Sequence, residues 1–265
     1  ITDIKINNKN LRYKIAPDFC KSLIGEKILN ISRRSKYIIF HFKKKILIAH
    51  LGMSGKLLII RKHDSEIFRT SFYYDLNILE KHNHIYFKLN NNLILIYNDV
   101  RRFGFFKLYN ANEINRVNFI KKLGIEPFSK NFNIKYFVRF IKKRKKNIKS
   151  LLMDQSFISG LGNIYVNEAL FMTKIQPIRS CGNLSLNEIK NLIFNIKKIL
   201  KFSISKGGSS VKDFKNTFGK SGAFQQFFYV YGRENKNCSR ISCKGKIKKI
   251  FISNRSSFYC NKCQI

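Results

Sequence analysis

Residues 238–263 read CSRISCKGKIKKIFISNRSSFYCNKC, with Cys238, Cys243, Cys260 and Cys263 spaced C-x4-C-x16-C-x2-C. Two short knuckles of this kind can bring four thiolates to one Zn²⁺ in a tetrahedron, and the ion then supplies folding energy that so small a module lacks. One structural zinc ion is therefore expected. Between the knuckles Ile247, Ile250, Phe251, Ile252, Phe258 and Tyr259 follow the pattern of a β-hairpin. Arg240, Lys244, Lys246, Lys248, Lys249 and Arg255 accompany them without an acidic residue. A purely structural zinc ribbon fits these residues, and so does a basic hairpin that touches DNA. Cys20 and Cys181 stand alone. Clustering of the others at short spacing favours metal over disulfides.

Outward from this tail, the 265 residues exceed a typical single domain and suit two compact units or three small ones. No apolar run reaches the roughly 20 residues needed to cross a bilayer, and no leader pattern is visible, so a cytoplasmic protein is expected. The net charge is +37, from 52 Lys and Arg against 15 Asp and Glu. Such a field attracts polyanions, because neutralised phosphates release their condensed counterions. Nucleic acid is the first candidate and an acidic membrane surface the competitor. Part of the charge is also what AT-rich coding drift would produce, since Lys, Asn, Ile and Phe crowd the sequence throughout.

The first part of the chain predicts β-structure. Lys36–Phe42, Lys45–His50, Lys56–Ile60, His84–Leu89 and Leu93–Tyr97 are short β-branched and aromatic runs, with Lys43-Lys44 and Asn90-Asn91-Asn92 where tight turns belong. Closely spaced strands without long helices between them predict a sandwich or barrel. Past about residue 112 the period changes. Helices are expected over Phe132–Ile141, over Ile148–Met153 and after Gly160-Leu161-Gly162. A further one is expected over Leu184–Ile204, where Leu186, Ile189, Leu192, Ile193, Ile196, Ile199 and Leu200 fall at helical spacing. Ser185 and Glu188 form a capping box at its start. Gly207-Gly208 stops it, and Ser209–Phe224 is expected to be a mobile loop. The division is a β-domain over 1–111, a helical domain over 112–222 and a metal-stapled tail over 223–265.

Several constellations carry chemistry. Arg33-Arg34-Ser35-Lys36-Tyr37 is either a solvated basic run or a setting in which cationic neighbours disfavour the charged form of Lys36, which suits an amine nucleophile or acid–base group. His50-Leu51-Gly52-Met53-Ser54-Gly55 and Asn98-Asp99-Val100-Arg101-Arg102-Phe103-Gly104 flank strands. Their Met and Arg-x-Phe are core and surface residues, or else a wedge that replaces an extruded base in the stack. Gly160-Leu161-Gly162 either marks helix ends or lets a phosphate reach backbone N–H groups at a helix start. The basic run 142–146 precedes it.

In order, RRSKY (33–37), HLGMSG (50–55), DVRRFG (99–104), LGIEP (123–127), KSLLMDQ (149–155), GLGNIYVNEALF (160–171), KGGSSVKDF (206–214), VYGR (230–233) and the cysteine tail resemble the formamidopyrimidine-DNA glycosylase family. These are bacterial enzymes that remove oxidised purines such as 8-oxoguanine. The resemblance implies an α+β multidomain fold: an N-terminal antiparallel β-sandwich, a helix–two-turn–helix domain and a C-terminal zinc-finger β-hairpin. It implies glycosylase and AP lyase activity, with β,δ-elimination, on duplex DNA carrying an oxidised purine or abasic site. A monomer with no membrane partner is expected.

By the same resemblance Lys36 matches the lysine that contacts the lesion phosphate and assists elimination, and Arg255 the finger arginine linked to the second elimination. His50, His82, Arg101, Lys145 and Asn163 match DNA-contacting positions. Met53, Arg101 and Phe103 match the triad that fills the gap left by the flipped base, and the Ser209–Phe224 loop matches a cover over that base. Met53 and Arg-x-Phe favour the purine enzyme over the related endonuclease VIII branch.

Two departures accompany the match. The first knuckle has x4 where the family has x2, and is expected to be looser. Family enzymes begin, after methionine removal, with a proline whose secondary amine attacks the sugar C1′, beside a glutamate acid. This sequence begins Ile1-Thr2-Asp3-Ile4, and the nitrogen of Pro17 lies within a peptide bond. The expectation is a fragment whose leading helix and nucleophile lie ahead of Ile1, with a truncated, decaying gene as the alternative. A catalytically inactive DNA-binding chain, or more distantly a zinc-ribbon RNA-binding protein, are the other functional readings.

Overall fold

The computed structural model describes residues 1–61, 67–68, 79–90, 92–142, 144–208 and 226–265. The expected loop over Ser209–Phe224 and the boundary at residue 222 lie outside them. Described residues up to Lys121 form one compact unit, and those from Lys122 to Ile265 a second.

The first unit carries two antiparallel sheets. One contains, in spatial order, β1 (Asp3–Ile6), β7 (Asn83–Lys88), β8 (Leu93–Asn98), β5 (Lys56–Arg61) and β6 (Ile67–Phe68). The other contains β2 (Asn30–Arg34), β3 (Tyr37–His41), β4 (Lys45–His50) and β9 (Phe105–Asn110). Arg33 and Arg34 end the edge strand β2 and lead through Ser35-Lys36 into β3. Alternation along β4 builds both sides of its sheet. Leu47 and Ala49 join Phe40, Phe106, Ile85, Phe87 and Tyr97 in the core between the sheets, which makes the unit a sandwich, and Phe19 and Leu23 of the short helix α1 (Phe19–Leu23) belong to the same cluster. Ile46 and Ile48 point the other way and pack with Ile39 and Val117. Phe119 and Ile120 of the short helix α2 (Asn118–Lys121) cover that second cluster. Each face of β4 is thus apolar, which is why it reads as a run and not as an alternation.

In the second unit α3 (Ile134–Ile141) starts at Asn133, whose side chain accepts the N–H of Tyr136 at 3.0 Å. α4 (Ile148–Leu152) starts at Asn147, which accepts the N–H of Ser150 at 2.8 Å. α6 (Leu186–Ser205) opens with the capping box of Ser185 and Glu188, as expected. α5 (Asn163–Met172) follows Gly162, and every residue from Val166 to Phe171 is buried. Its surroundings explain this: α6 packs on it, and so does β11 (Arg255–Cys260), which pairs with β10 (Ile247–Ile252) in the cysteine hairpin. No described helix is long and apolar enough to cross a membrane.

Candidate nucleic-acid interface and metal centre

Antiparallel register gathers the sequence candidates of the first unit at one end of the sandwich. Tyr37 pairs with His50, and His50 with Phe105. In the other sheet Asn98 pairs with both Lys56 and Asn83. Lys36, His50, His82 and the two loops 51–55 and 99–104 therefore all stand at this end.

The two loops touch through glycine. Gly52 has φ +67°, and a Cβ there would lie 2.7 Å from the backbone N of Gly104. A Cβ on Gly104 would lie 1.9 Å from Tyr97 Oη and 2.5 Å from the carbonyl of His50. Only glycine permits so close an approach of backbones. The consequence is visible on the surface. Met53 and Phe103 are about half exposed, and the Arg101 guanidinium sits 4.5 Å from the Phe103 ring centroid while its Nη1 approaches Met53 Sδ at 3.6 Å. The three residues of the expected wedge thus form one exposed patch.

Beside it, Lys36 is exposed in the two-residue turn Ser35-Lys36 between β2 and β3, where Ser35 has φ 56°. His50 stacks on Phe105 at 5.6 Å, and its Nδ1 accepts the N–H of Gly52 at 3.0 Å. Burial, then the charges of Arg12 and Lys36, hold its pKa below the ordinary histidine value. A neutral ring whose Nδ1 accepts must carry its proton on Nε2, which leaves that nitrogen a donor. His82 is half-buried and also held below the ordinary value, by burial and then by Lys81 and His84. Its carbonyl accepts the N–H of Asp99 at 3.0 Å.

The remaining candidates belong to the second unit. Lys145 is exposed in the connection between α3 and α4. Asn163 opens α5, and its Nδ2 donates to the carbonyl of Ser256 at 3.0 Å, next to Arg255. Arg255 is exposed and begins β11, after a tight turn in which Ser253 and Asn254 both have positive φ. Asn163 and Arg255 therefore meet at the hairpin turn. No hydrogen bond, ion pair or ring contact among the described residues links Lys145 to either.

Sequence reasoning missed the buried side chains that secure this arrangement. Lys149, fully buried on α4, donates to the carbonyl of Ser256 at 3.1 Å and to the hydroxyl of Ser257. Burial, then the nearby Arg255 charge, pushes its pKa down to about 8. Asn167 Oδ1 accepts the N–H of Phe258 at 2.7 Å. The carboxylate of Glu168 accepts three consecutive N–H groups, of Tyr229, Val230 and Tyr231, at 2.8, 3.1 and 2.9 Å. Asn167 and Glu168 sit in GLGNIYVNEALF among apolar residues. Two polar residues side by side within an apolar helix are the available signal, because buried polar groups are kept only where they are satisfied.

The four tail cysteines converge, with all their Sγ atoms within 4.8 Å of one another. Cys238 and Cys263 lie 3.8 Å apart and Cys243 and Cys260 3.6 Å apart. Zn–S bonds of about 2.3 Å in a tetrahedron place sulfurs roughly 3.8 Å apart, so the set fits such an ion. The lengthened knuckle is fastened despite its extra residues. Arg240 Nη2 donates to the carbonyls of Phe171 and Met172 at 2.8 and 3.2 Å, at the C-terminus of α5, and its guanidinium lies 4.8 Å from the Phe171 ring centroid.

Comparison with known proteins gives concordant results. A model of the formamidopyrimidine-DNA glycosylase N-terminal domain matches residues 1–106, and one of the formamidopyrimidine-DNA glycosylase H2TH domain matches residues 123–215. A formamidopyrimidine-DNA glycosylase of Roseobacter denitrificans is 39% identical over 260 residues, covering 98% of this chain and 90% of that protein. Its counterpart from the Wolbachia of Brugia malayi is 39% identical over 265 residues, covering 100% and 92%. The solved complex of Lactococcus lactis Fpg with abasic-site DNA superposes with a TM-score of 0.83 at 34% identity, covering 100% of this chain and 92% of that one. A complex of the same enzyme with Fapy-dG DNA gives a TM-score of 0.82 at 34% identity and the same coverage.

Proposed function

We propose, from the premise that this chain belongs to the formamidopyrimidine-DNA glycosylase family, that it acts in base-excision repair of oxidised purines such as 8-oxoguanine and formamidopyrimidines. Its partner is duplex DNA carrying such a base or an abasic site. The observation that carries this reading is the exposed patch of Met53, Arg101 and Phe103 at the end of the sandwich where Lys36, His50 and His82 also stand.

Each group has a role in this account. Met53 and Phe103 enter the stack where the damaged nucleotide leaves, and Arg101 supports them and contacts the opposite strand. Lys36 binds the phosphate of the lesion nucleotide, and His50 donates to phosphate from Nε2. His82 and Lys145 add backbone contacts. The first N–H groups of α5, with Asn163 beside them, offer donors to another phosphate. Arg255 grips phosphate from the hairpin turn and assists the second elimination. Cys238, Cys243, Cys260 and Cys263 hold one structural Zn²⁺, which fixes that turn and supplies no chemistry to the DNA.

The glycosylase step requires an amine that attacks C1′ and displaces the base, after which β,δ-elimination from the imine opens the strand on both sides. The wedge patch and the cysteine hairpin alone suffice for a second reading, a chain that binds damaged DNA without excising the base. A duplex with a single 8-oxoguanine separates the readings. Free base together with a borohydride-trapped adduct supports the enzyme. Damage-selective binding with neither product supports the second reading, and equal binding to damaged and undamaged duplex contradicts both.

A further inference from the structure

Asp99 is completely buried, and none of the roles above uses it. Both oxygens of its carboxylate are engaged. Oδ1 accepts the hydroxyl of Ser54 at 2.5 Å and the backbone N–H of Arg101 at 3.2 Å. Oδ2 accepts the hydroxyl of Tyr97 at 2.7 Å and the backbone N–H of Gly104 at 3.0 Å. The Ser54 hydroxyl also accepts the N–H of Arg101 at 3.1 Å, so it bridges the two loops while donating to the carboxylate. The backbone of Asp99 is fixed as well, with its carbonyl accepting the ring N–H of His84 Nε2 at 2.7 Å.

These contacts have a common geometry. Ser54 adjoins Met53 on one loop, while Arg101 and Gly104 bracket Phe103 on the other. Arg102, between them, has φ 56°, a left-handed conformation that a non-glycine residue adopts at a cost. A carboxylate that collects two N–H donors from this loop and one hydroxyl from its neighbour offsets that cost, and hydrogen bonds to an ionised acceptor are the stronger kind.

We propose that Asp99 is a positioning residue for the wedge: through Ser54, Arg101 N–H and Gly104 N–H it sets the spacing of Met53 against Arg101 and Phe103, and so tunes selective binding at a damaged site. The inference rests on the wedge reading above. Asp99 touches no DNA in this account and acts only through the loops it ties.

Three variants separate positioning from plain stability. Asp99→Asn turns an amide N–H₂ toward a backbone N–H or a hydroxyl donor, so at least one loop contact is lost. Ser54→Ala removes only the bridge between the loops, and serves if Asp99→Asn does not fold. Tyr97→Phe deletes one buried hydrogen bond to the same carboxylate, and the contact of that hydroxyl with Gly104, but leaves in place the Ser54 and Arg101 contacts that tie the two loops together. Affinity for a duplex with a tetrahydrofuran abasic-site analogue is measured against the same undamaged duplex, beside a thermal melt of each variant. Asp99→Asn and Ser54→Ala are expected to lower the damaged-to-undamaged ratio roughly tenfold, the scale of one buried hydrogen bond. Tyr97→Phe is expected to melt earlier with its ratio unchanged. An unchanged ratio in Ser54→Ala and in folded Asp99→Asn overturns the inference, as does a Tyr97→Phe ratio that falls equally. If the natural chain itself shows no preference for the damaged duplex, the wedge reading fails first, and that outcome is distinct.

Discussion

The side-chain oxygen of Asn167 accepts the backbone N–H of Phe258 at 2.7 Å, across 91 residues of sequence. The amide nitrogen of Asn167 is used too, donating to the carbonyl of Asn163 at 2.7 Å one helical turn earlier. One buried side chain therefore ties the middle of α5 to β11. Asn167→Leu keeps the approximate shape but leaves the Phe258 N–H unpaired, at a cost of about 1–3 kcal/mol. A lower urea midpoint and faster hydrogen exchange at the Phe258 amide are expected. Unchanged exchange at Phe258 would show that the contact is not made.

Lys149 gives a pH signature. Its folded pKa of about 8 lies below the value of the unfolded chain, with burial as the main cause and the Arg255 charge second. Between the two values the unfolded state binds more protons than the folded one, so stability rises with pH there. Measured against Lys149→Met, the natural chain should gain unfolding free energy as pH increases from about 8 toward 10. A difference that stays flat across that window contradicts the assignment.

His50 titrates the other way from a phosphate-paired histidine. Burial first, and then Arg12 and Lys36, disfavour its charged form. Its contribution to stability should be fully present above the unfolded value near 6.5 and fall as pH drops through the lower folded value. Ring-carbon chemical shifts followed against pH are expected to give a midpoint below 6.5 in the DNA-free protein. A midpoint at or above the ordinary value would mean that burial and the Arg12 and Lys36 charges do not disfavour the charged ring.

The metal centre is tested by removal. Purified protein should carry about one equivalent of zinc, as a four-thiolate structural site does. The hairpin core is small, chiefly Phe171, Val230, Ile247 and Phe258, so chelation should disorder the hairpin and weaken DNA binding while the sandwich stays folded. Cys260→Ser should do the same. Protein that binds DNA equally well after complete loss of zinc would contradict the proposed role.

Much of this arrangement is legible from residues alone, for identifiable reasons. β3, β4, β5, β7 and β8 are rich in Ile, Leu, Phe and Tyr, and α6 shows its apolar stripe and its Ser185 cap. The cysteine spacing alone marks the metal set. Edge strand β2 was missed because Asn30–Arg34 carries little apolar content, and β9 because Phe105–Asn110 follows directly on a loop motif. α5 lacks a clear stripe because it is covered on more than one side, so only the preceding glycines announce it. The connecting groups were harder to see. Asp99, Ser54 and Lys149 lie inside recognisable motifs, but that they bind other loops and the hairpin turn follows from tertiary contact and leaves no periodic trace.

The most direct test of the account compares the affinity of the natural chain and of Phe103→Ala for a duplex bearing an abasic-site analogue and for the same duplex undamaged, across a salt series. The natural chain is expected to prefer the damaged duplex, and Phe103→Ala to lose most of that preference. The salt slope should stay the same, because the phosphate contacts of the basic residues are untouched. Equal affinity of the natural chain for both duplexes, or a preference that survives the loss of Phe103, would contradict it.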